Sequence, residues 1–450
     1  MMFAQPSLSL FATPDMARVF SLSRQLQYMT RFEWALSVAL EANGLAAGNA
    51  AGAIEPLLDA AFVDLPTLLE EAHQSGNLAI PFVRQLTAAV WLRSEDAARS
   101  VHWGATSQDL LDTALVLQMR EALALISEDL ERLDRQLLQR VEEHAHTVMA
   151  GRTWLQQGPP ITLGLKIAGW LAAIRRHRER LQAASERALV LQFGGAVGTL
   201  AALGEKGTAV SAHLARTLGL TEPDLPWHTH RDNLVEVATV LGLLAGTLGK
   251  IARDVSLLME TEVAEVSEPW TEGRGGSSTM PHKRNPVASA IVLAAAARIP
   301  GLVSTLLTAM VQEHERGLGG WHAEWETLPE VFFLASAALA RVLEIAGGLD
   351  VHAARMLANL EQTQGLAMSE AVSIALAADI GRARAHELVE EASRRTIAEG
   401  RPLRDVLKEI PQICQHLSEA DIDRILDPRN YLGSAQSFIE RIIRGENDSN

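Results

Sequence analysis

Apolar residues recur at steps of three and four along most of this 450-residue chain. The longest unbroken series consists of Leu234, Val237, Leu241, Leu244, Leu248, Ile251, Val255 and Leu258. Such steps place side chains on one face of a helix, and an unbroken series is typical of a helix bundle or coiled-coil seam. Because strict alternation of apolar and polar residues is rare, the pattern favours helices over strands.

Four other stretches repeat this periodicity, at residues 123–141, 160–191, 287–311 and 328–346. The first of them has a plausible helix start at Asp112 and Thr113. Together the five stretches predict an all-α fold with a central bundle of five long helices. The predicted domains are a helical N-terminal domain at residues 1–110, the bundle at 111–350 and a helical C-terminal domain at 351–450.

The stretch at residues 287–311 is long and apolar enough to span a bilayer, with Arg298 as its only charged residue. Pro300 interrupts it and polar segments flank both ends, so a fully buried central helix is the preferred interpretation. Helices this apolar expose more surface than one bundle can cover. The pattern therefore predicts oligomerisation through the helices.

The composition of the chain excludes several classes of function and site. The formal net charge is -15, and the basic residues are scattered through acidic helices, which excludes a typical nucleic-acid-binding face. The single cysteine, Cys414, cannot form an internal disulfide, and no segment has the ligand spacing of a zinc site. Because the N-terminus has no basic region followed by an apolar run, we expect a cytoplasmic protein without an export signal. An anionic substrate would need a locally basic site.

The segment at residues 273–286, GRGGSSTMPHKRNP, is the most specific in the chain. Its glycines allow sharp turns and close approach of a ligand to the backbone. Asn285 and Pro286 suit the start of the next helix, so a glycine-rich loop leads into a positive helix end that attracts anions. A flexible surface loop before a capped helix is the alternative. Such loops rarely combine two serines, a lysine and an asparagine in this order.

This segment resembles the signature loop of the fumarase/aspartase superfamily, GSSxMPxKxN, and every fixed position is present. The resemblance implies a fumarase/aspartase-like fold, with Ser277 as the catalytic base that moves a proton at the carbon next to a carboxylate. It also implies that Ser278, Lys283 and Asn285 contact the substrate. A serine hydroxyl becomes basic enough only where loop N–H groups and a nearby ammonium stabilise its alkoxide.

Residues 101–113, VHWGATSQDLLDT, resemble the substrate-carboxylate region of the same superfamily. The resemblance implies that Thr106 and Ser107 donate hydroxyl groups to the substrate and that His102 lies beside it. Taken alone, a Thr-Ser pair before a helix is more often a helix cap.

Residues 151–166, GRTWLQQGPPITLGLK, resemble a superfamily segment that many members write GRTH. Trp154 stands where those members have a histidine that is taken to protonate the leaving group. An alkoxide or amine leaving group gains about 10²–10⁴-fold from a proton donor, whereas a carboxylate, with a pKa of about 4, leaves unaided. Trp154 therefore favours the opening or closing of a lactone; neutral drift or an inactive enzyme is the alternative. Arg152 and Trp154 are expected at the substrate site.

Residues 312–330 resemble the adenylosuccinate lyase pattern in which HER is followed by AER and LP. Trp325 replaces the later arginine, which puts a purine nucleotide substrate in doubt. Arg316 can bind a substrate carboxylate bidentately or form an ion pair at a helix end, and the sequence leaves both open.

Over nearly its whole length the chain resembles the lactonising, or cycloisomerase, branch of the superfamily, which takes part in the breakdown of aromatic compounds. That resemblance implies a small tricarboxylate substrate and a homotetramer with shared active sites, with no cofactor, metal, nucleic acid or membrane. The alternatives are a fumarate-releasing lyase, such as adenylosuccinate or argininosuccinate lyase, and a non-catalytic structural protein. A trianion needs cations, and the candidates expected to converge are Arg152, Lys283, Arg284, Arg316 and His102.

Overall fold

The computed structural model describes residues 10–46, 49–270, 276, 280 and 283–445. That part of the chain is mostly helical. Its α-helices, in chain order, are α1 Pro14–Val19, α2 Leu22–Ala42, α3 Ala50–Ile54, α4 Leu65–Ser75, α5 Ala79–Trp91, α6 Glu95–Ala98, α7 Ser107–Glu143, α8 Leu163–Ala188, α9 Gly207–Leu218, α10 Asp232–Leu258, α11 Val287–Ala309, α12 Gly320–Gly348, α13 Ala353–Glu361, α14 Ser369–Ile380, α15 Arg382–Glu399, α16 Leu403–Lys408, α17 Pro411–Cys414, α18 Glu419–Ile425 and α19 Ala435–Arg444. Short 3₁₀ turns occur at Glu55–Leu57, Ala201–Lys206, Leu366–Met368 and Pro428–Asn430.

The five long helices of the predicted bundle are α7, α8, α10, α11 and α12, and the all-α fold is confirmed. Two of them begin earlier than predicted. Helix α7 begins at Ser107, and α12 begins at Gly320 and continues through Pro329. Their first two turns bury polar residues, including Gln108, Asp109 and Glu324, so the apolar periodicity that marks a buried turn is missing there.

Two short antiparallel sheets accompany the helices. Strands β1 Val148–Thr153 and β2 Gln156–Thr162 form a hairpin, and β3 Val266–Ser267 pairs with β4 Asp350–Val351. The hairpin corrects the prediction that a helix begins at residue 160. Strand β2 reads QQGPPIT, and its glycine and prolines hide the alternation that marks a strand.

The tip of the hairpin is a two-residue turn formed by Trp154 and Leu155. Both have positive φ, 52° and 63°, as in a type I′ turn, although glycine or asparagine is usual at such positions. Their side chains are 97% and 77% exposed. A strained, exposed and apolar tip is unfavourable in water.

Contacts along the chain define two compact units. Unit 1 comprises Met1–Leu130, His177–Leu248 and Ile291–Ala340. Unit 2 comprises Glu131–Arg176, Gly249–Ala290 and Arg341–Asn450. Unit 2 includes a hydrophobic core of its own among the C-terminal helices, with Val372, Leu376, Val406, Leu407 and Ile413 fully buried. The division into domains at residues 1–110, 111–350 and 351–450 stays a prediction.

In the part of the chain that the structure describes, three helices are long and apolar enough to cross a membrane, by length and composition alone: α10, α11 and α12. In the most apolar window of α10 and α12 about two thirds of the residues are buried, 61% and 67%, but in α11 only 33% are. The prediction that α11 is fully buried is therefore wrong for a single copy of the chain. Its exposed surface agrees with the expected oligomerisation through the helices.

The first turn of α11 is held by a carboxylate of the protein. Glu268 accepts hydrogen bonds from the backbone N–H groups of Ala288 and Ser289, at 2.9 and 2.7 Å, and from the Ser289 hydroxyl at 2.6 Å. A carboxylate at this position satisfies two helix amides and complements the helix dipole. The sequence predicted that a ligand anion would use this helix end, whereas two of its amides bind Glu268.

We expect Glu268→Ala to lower the free energy of unfolding by about 2 kcal/mol, because two buried helix amides and a hydroxyl lose their acceptor. Glu268→Gln keeps one acceptor oxygen and should lose roughly half of that. Urea unfolding followed by circular dichroism measures the change.

Glu262→Ala, at an exposed position in the same segment, is the matched control and should leave the unfolding midpoint unchanged. Equal midpoints for Glu268→Ala and the parent would show that this carboxylate does not support α11.

Candidate active site

Asp109 organises the first turn of α7 in unit 1. Its carboxylate accepts hydrogen bonds from the backbone N–H groups of Thr106, Gly194 and Gly195, at 3.0, 3.0 and 2.9 Å. His228 Nε2 lies 2.6 Å from the same carboxylate, and the Asp109 side chain is completely buried. Three chain segments therefore meet at one acid, which fixes where the first turn of α7 stands.

The glycines at this junction are required by close approach. Gly195 has a φ of +69°, and a Cβ atom there would lie 2.9 Å from the backbone oxygen of Gly104. A Cβ atom on Gly194 would lie 2.6 Å from the Pro226 side chain. These contacts give the glycine-rich stretch at residues 194–199 a structural role.

Thr106 lies directly before α7 and Ser107 is its first residue, and both are half-buried. Within the described ranges neither hydroxyl forms a hydrogen bond. Both can therefore donate to a substrate carboxylate, as the resemblance implies.

His102 lies in the loop before α7. Its Nδ1 atom is 2.5 Å from Glu33 Oε1 of helix α2, and its backbone N–H donates to Glu33 Oε2 at 3.0 Å. Burial disfavours the charged imidazolium, but the charge of Glu33, their hydrogen bond and the charge of Asp109 outweigh it and raise the pKa of His102. The geometry thus favours a positively charged His102.

Arg316 contacts the same turn of α7. Its guanidinium donates to the Gln108 side-chain oxygen at 2.7 Å and to the Ala196 backbone oxygen at 2.8 Å. Both acceptors are neutral, and no ion pair of Arg316 occurs among residues 10–46, 49–270, 276, 280 and 283–445. The positive charge is therefore free to act on a ligand, and the ion pair considered from the sequence is not formed in that part.

Arg231, the residue before α10, is completely buried between two acids. It donates to Asp112 at 2.6 and 3.0 Å and to Glu324 at 2.5 to 3.1 Å. Trp321 and Gln108 also donate to Asp112, at 2.9 and 3.0 Å. Burial raises the pKa of Glu324, although the charge of Arg231 opposes the shift. The starts of α7, α10 and α12 are joined at this network.

Arg152 belongs to unit 2, on strand β1. It forms a two-pronged ion pair with the buried carboxylate of Glu265, at 2.9 and 2.6 Å, and Asn359 also donates to that carboxylate at 2.9 Å. Glu265 therefore neutralises much of the positive charge of Arg152, which was expected to bind the substrate. Arg152 instead orients the hairpin whose tip is Trp154 and Leu155.

The other predicted substrate residues of unit 2 follow the signature segment. Lys283 and Arg284 are exposed, and Asn285 is half-buried just before α11. Lys283 forms no ion pair among the residues that the structure places. Ser277 and Ser278, the predicted base and its neighbour, lie outside the described residues.

The structure thus divides the predicted site residues between the two units. His102, Thr106, Ser107 and Arg316 are in unit 1, and Arg152, Trp154, Lys283 and Asn285 are in unit 2. Convergence of the five expected cations on one substrate stays a prediction.

Sequence reasoning missed the acids that support these residues. Asp109 stands inside the quoted segment at residues 101–113, and its place three residues after Thr106 could have revealed that its carboxylate accepts from the Thr106 backbone N–H at the helix start. Glu265 and Glu268 directly precede the signature segment. Glu33 gave no local signal, because 69 residues separate it from His102.

Among the described residues, no group of three or more histidine, cysteine, aspartate and glutamate side chains could hold a metal ion. That the protein works without a metal or cofactor stays a prediction.

Known proteins resemble the chain over its whole length. A family model described as Lyase matches residues 20–301, and one described as Adenylosuccinate lyase C-terminus matches residues 365–442. The 3-carboxy-cis,cis-muconate cycloisomerase of Pseudomonas aeruginosa is 54% identical, covering 96% of this chain and 94% of that protein. The enzyme of the same name from Acinetobacter baylyi is 47% identical, covering 97% of each. The crystal structure of the 3-carboxy-cis,cis-muconate lactonizing enzyme of Pseudomonas putida superposes with a TM-score of 0.94 at 51% identity, covering 98% of each chain.

Arg231→Met should lower the free energy of unfolding by about 3–5 kcal/mol, because it leaves two buried carboxylates without their cation. The loss should be smaller near pH 5 than near pH 8. Without Arg231 the charge that most opposes the effect of burial on Glu324 is gone, and the hydrogen bond from Gln312 remains. The raised pKa of Glu324 then lets the folded variant bind an extra proton. Stability that depends on this proton is present at low pH and lost as the pH rises through the folded pKa.

Thermal unfolding at both pH values measures the difference, with Arg231→Lys as the control that keeps the charge. A loss of equal size at both pH values would contradict the assigned role of the two acids.

Proposed function

The chain belongs to the lyase family of the fumarase/aspartase superfamily, and we propose that within it the chain is a cycloisomerase acting on 3-carboxy-cis,cis-muconate. The product is a carboxymuconolactone, and the reaction belongs to the degradation of protocatechuate. The observation that carries this proposal is the full-length likeness, in sequence and in fold, to enzymes with that activity.

The proposed reaction closes a ring. An oxygen of one substrate carboxylate forms a bond to a carbon of the conjugated diene, and the electron pair of that double bond moves towards the carbon next to a second carboxylate. The resulting enediolate takes up a proton at that carbon from Ser277. The reverse reaction removes the proton and expels the carboxylate. Hydrogen-bond donors and cations can stabilise the enediolate charge, so the mechanism needs no metal or redox cofactor.

The site residues have separate roles in this proposal. Thr106 and Ser107, whose hydroxyls are free among the described residues, donate to one substrate carboxylate. Arg316 and Lys283 supply positive charge, and Asn285 and Ser278 add hydrogen bonds. Trp154 takes the position of a general acid that this chemistry does not need, since a carboxylate leaves without protonation.

We further propose a cytoplasmic homotetramer with active sites built from several subunits. Two observations support it. The strained turn at Trp154 and Leu155 exposes both side chains, and only 33% of the residues in the most apolar window of α11 are buried. A second copy of the chain can cover both surfaces, because exposed apolar surfaces mark interfaces.

Purified protein should consume 3-carboxy-cis,cis-muconate, seen as loss of its conjugated-diene absorbance, and should release no fumarate from adenylosuccinate or argininosuccinate. Trp154→His should not raise the rate of lactone formation, because the leaving group needs no acid. Fumarate release by the parent, or a large gain for Trp154→His, would favour a lyase instead.

Light scattering coupled to size exclusion should give a mass about four times that of the 48.8 kDa chain. Leu307→Asp, on the exposed face of α11, should reduce it, because a charge in an apolar interface loses its hydration. A parent protein with the mass of one chain would contradict the shared-site proposal.

A further inference from the structure

Both carboxylate oxygens of Glu33 contact one residue of the candidate site, His102. Its side chain is fully buried in α2, and its two carboxylate oxygens contact the ring and the backbone N–H of His102. Within the described part of the chain no lysine or arginine pairs with it. The arrangement therefore fixes both where His102 stands and how its ring is turned.

We propose that Glu33 is a positioning residue that keeps His102 as an imidazolium, so that the outer ring nitrogen, Nε2, donates a hydrogen bond to a carboxylate of the substrate. This inference rests on the proposed function, because it requires an anionic substrate beside His102.

The hydrogen-bond inventory of histidine decides the charge state. Nδ1 lies 2.5 Å from a carboxylate oxygen of Glu33, so it must donate a hydrogen to that oxygen. A neutral imidazole ring has only one such hydrogen, so Nε2 would then have none. A bare nitrogen is an acceptor and would repel a carboxylate. Only the imidazolium donates from both nitrogens, one to Glu33 and one to the ligand.

Burial of Glu33 works in the same direction. A carboxylate without solvent is stable only beside a positive charge or several donors, and His102 is what the described chain provides. The other charged group acting on His102 is Asp109 of α7, which contacts His228. Both acids favour the charged ring, and together they hold the pKa of His102 above its ordinary value despite burial.

The backbone of His102 explains why both carboxylate oxygens are used. Its φ is +61°, in the left-handed region that residues with a side chain seldom adopt. The hydrogen bond from the His102 N–H to Glu33 Oε2 opposes relaxation of this strain. His102 keeps 19% of its side chain exposed, and Nε2 forms no hydrogen bond within the described residues. The ring is thus held on one side and open on the other.

The first test needs no substrate. In protein labelled with ¹⁵N in its histidine rings, the His102 signals, identified by their loss in His102→Gln, should report hydrogen on both ring nitrogens near pH 7. Glu33→Gln is nearly isosteric, and its amide can accept from the backbone N–H and donate to Nδ1. In that variant the ring should be neutral near pH 7, with its hydrogen on Nε2. A neutral His102 ring in the parent at that pH would overturn the proposal.

The second test is kinetic. For 3-carboxy-cis,cis-muconate, Glu33→Gln should raise KM about tenfold near pH 8, because a charged donor becomes a neutral one, while kcat changes less than about threefold. In the parent, KM should stay constant until the pH passes the raised pKa of His102. In Glu33→Gln it should be high already at neutral pH.

A double substitution separates positioning from folding. In a His102→Gln background, Glu33→Gln should change KM no further, because Glu33 acts through His102. A second tenfold loss there would overturn the inference. Glu41→Gln, on the same helix, is the matched control and should leave KM unchanged at every pH. If the parent does not turn over the substrate, the proposed function fails, and the ring measurement still tests the charge of His102.

Discussion

Each buried carboxylate of this protein must be matched by donors from another segment, and that requirement determines where the candidate site residues stand. Asp109 joins α7 to the glycine turn and to His228, and Glu268 joins the end of β3 to the start of α11. An unmatched carboxylate in the interior would cost several kcal/mol, so these junctions have few alternative arrangements. Arg231 and Arg152 complete the pattern, since each is held by acids inside its own unit.

Because buried carboxylates must be matched by donors, the cationic side chains fall into two groups: those paired with buried acids and those available to a ligand. Arg152 and Arg231 are neutralised internally and serve the architecture, although the sequence placed Arg152 among the substrate ligands. Arg316 binds neutral acceptors, and His102 turns one nitrogen inward and one outward. A chain with a net charge of -15 can therefore still offer a trianion local positive charge, because its buried acids are already matched.

Periodicity was sufficient to predict the five long helices, because apolar faces repeat wherever a helix buries one side. It failed where polar residues are buried, at the start of α7, and where glycine and prolines enter a strand, in β2. The signature loop and the Thr106–Ser107 segment identified candidate residues by resemblance. Glu33 could not be predicted in this way, since it contacts His102 only through the tertiary fold and no local spacing encodes that contact.

In the proposed mechanism, a serine oxygen of the signature loop transfers the proton to carbon. Ser277→Ala and Ser278→Ala can be compared as a matched pair, by following diene loss from 3-carboxy-cis,cis-muconate at saturating substrate. Ser277→Ala should lower kcat by about 10³-fold or more, while Ser278→Ala should retain most of it, because only the first hydroxyl carries the proton. A Ser277→Ala protein that converts the substrate as fast as the parent would contradict this mechanism.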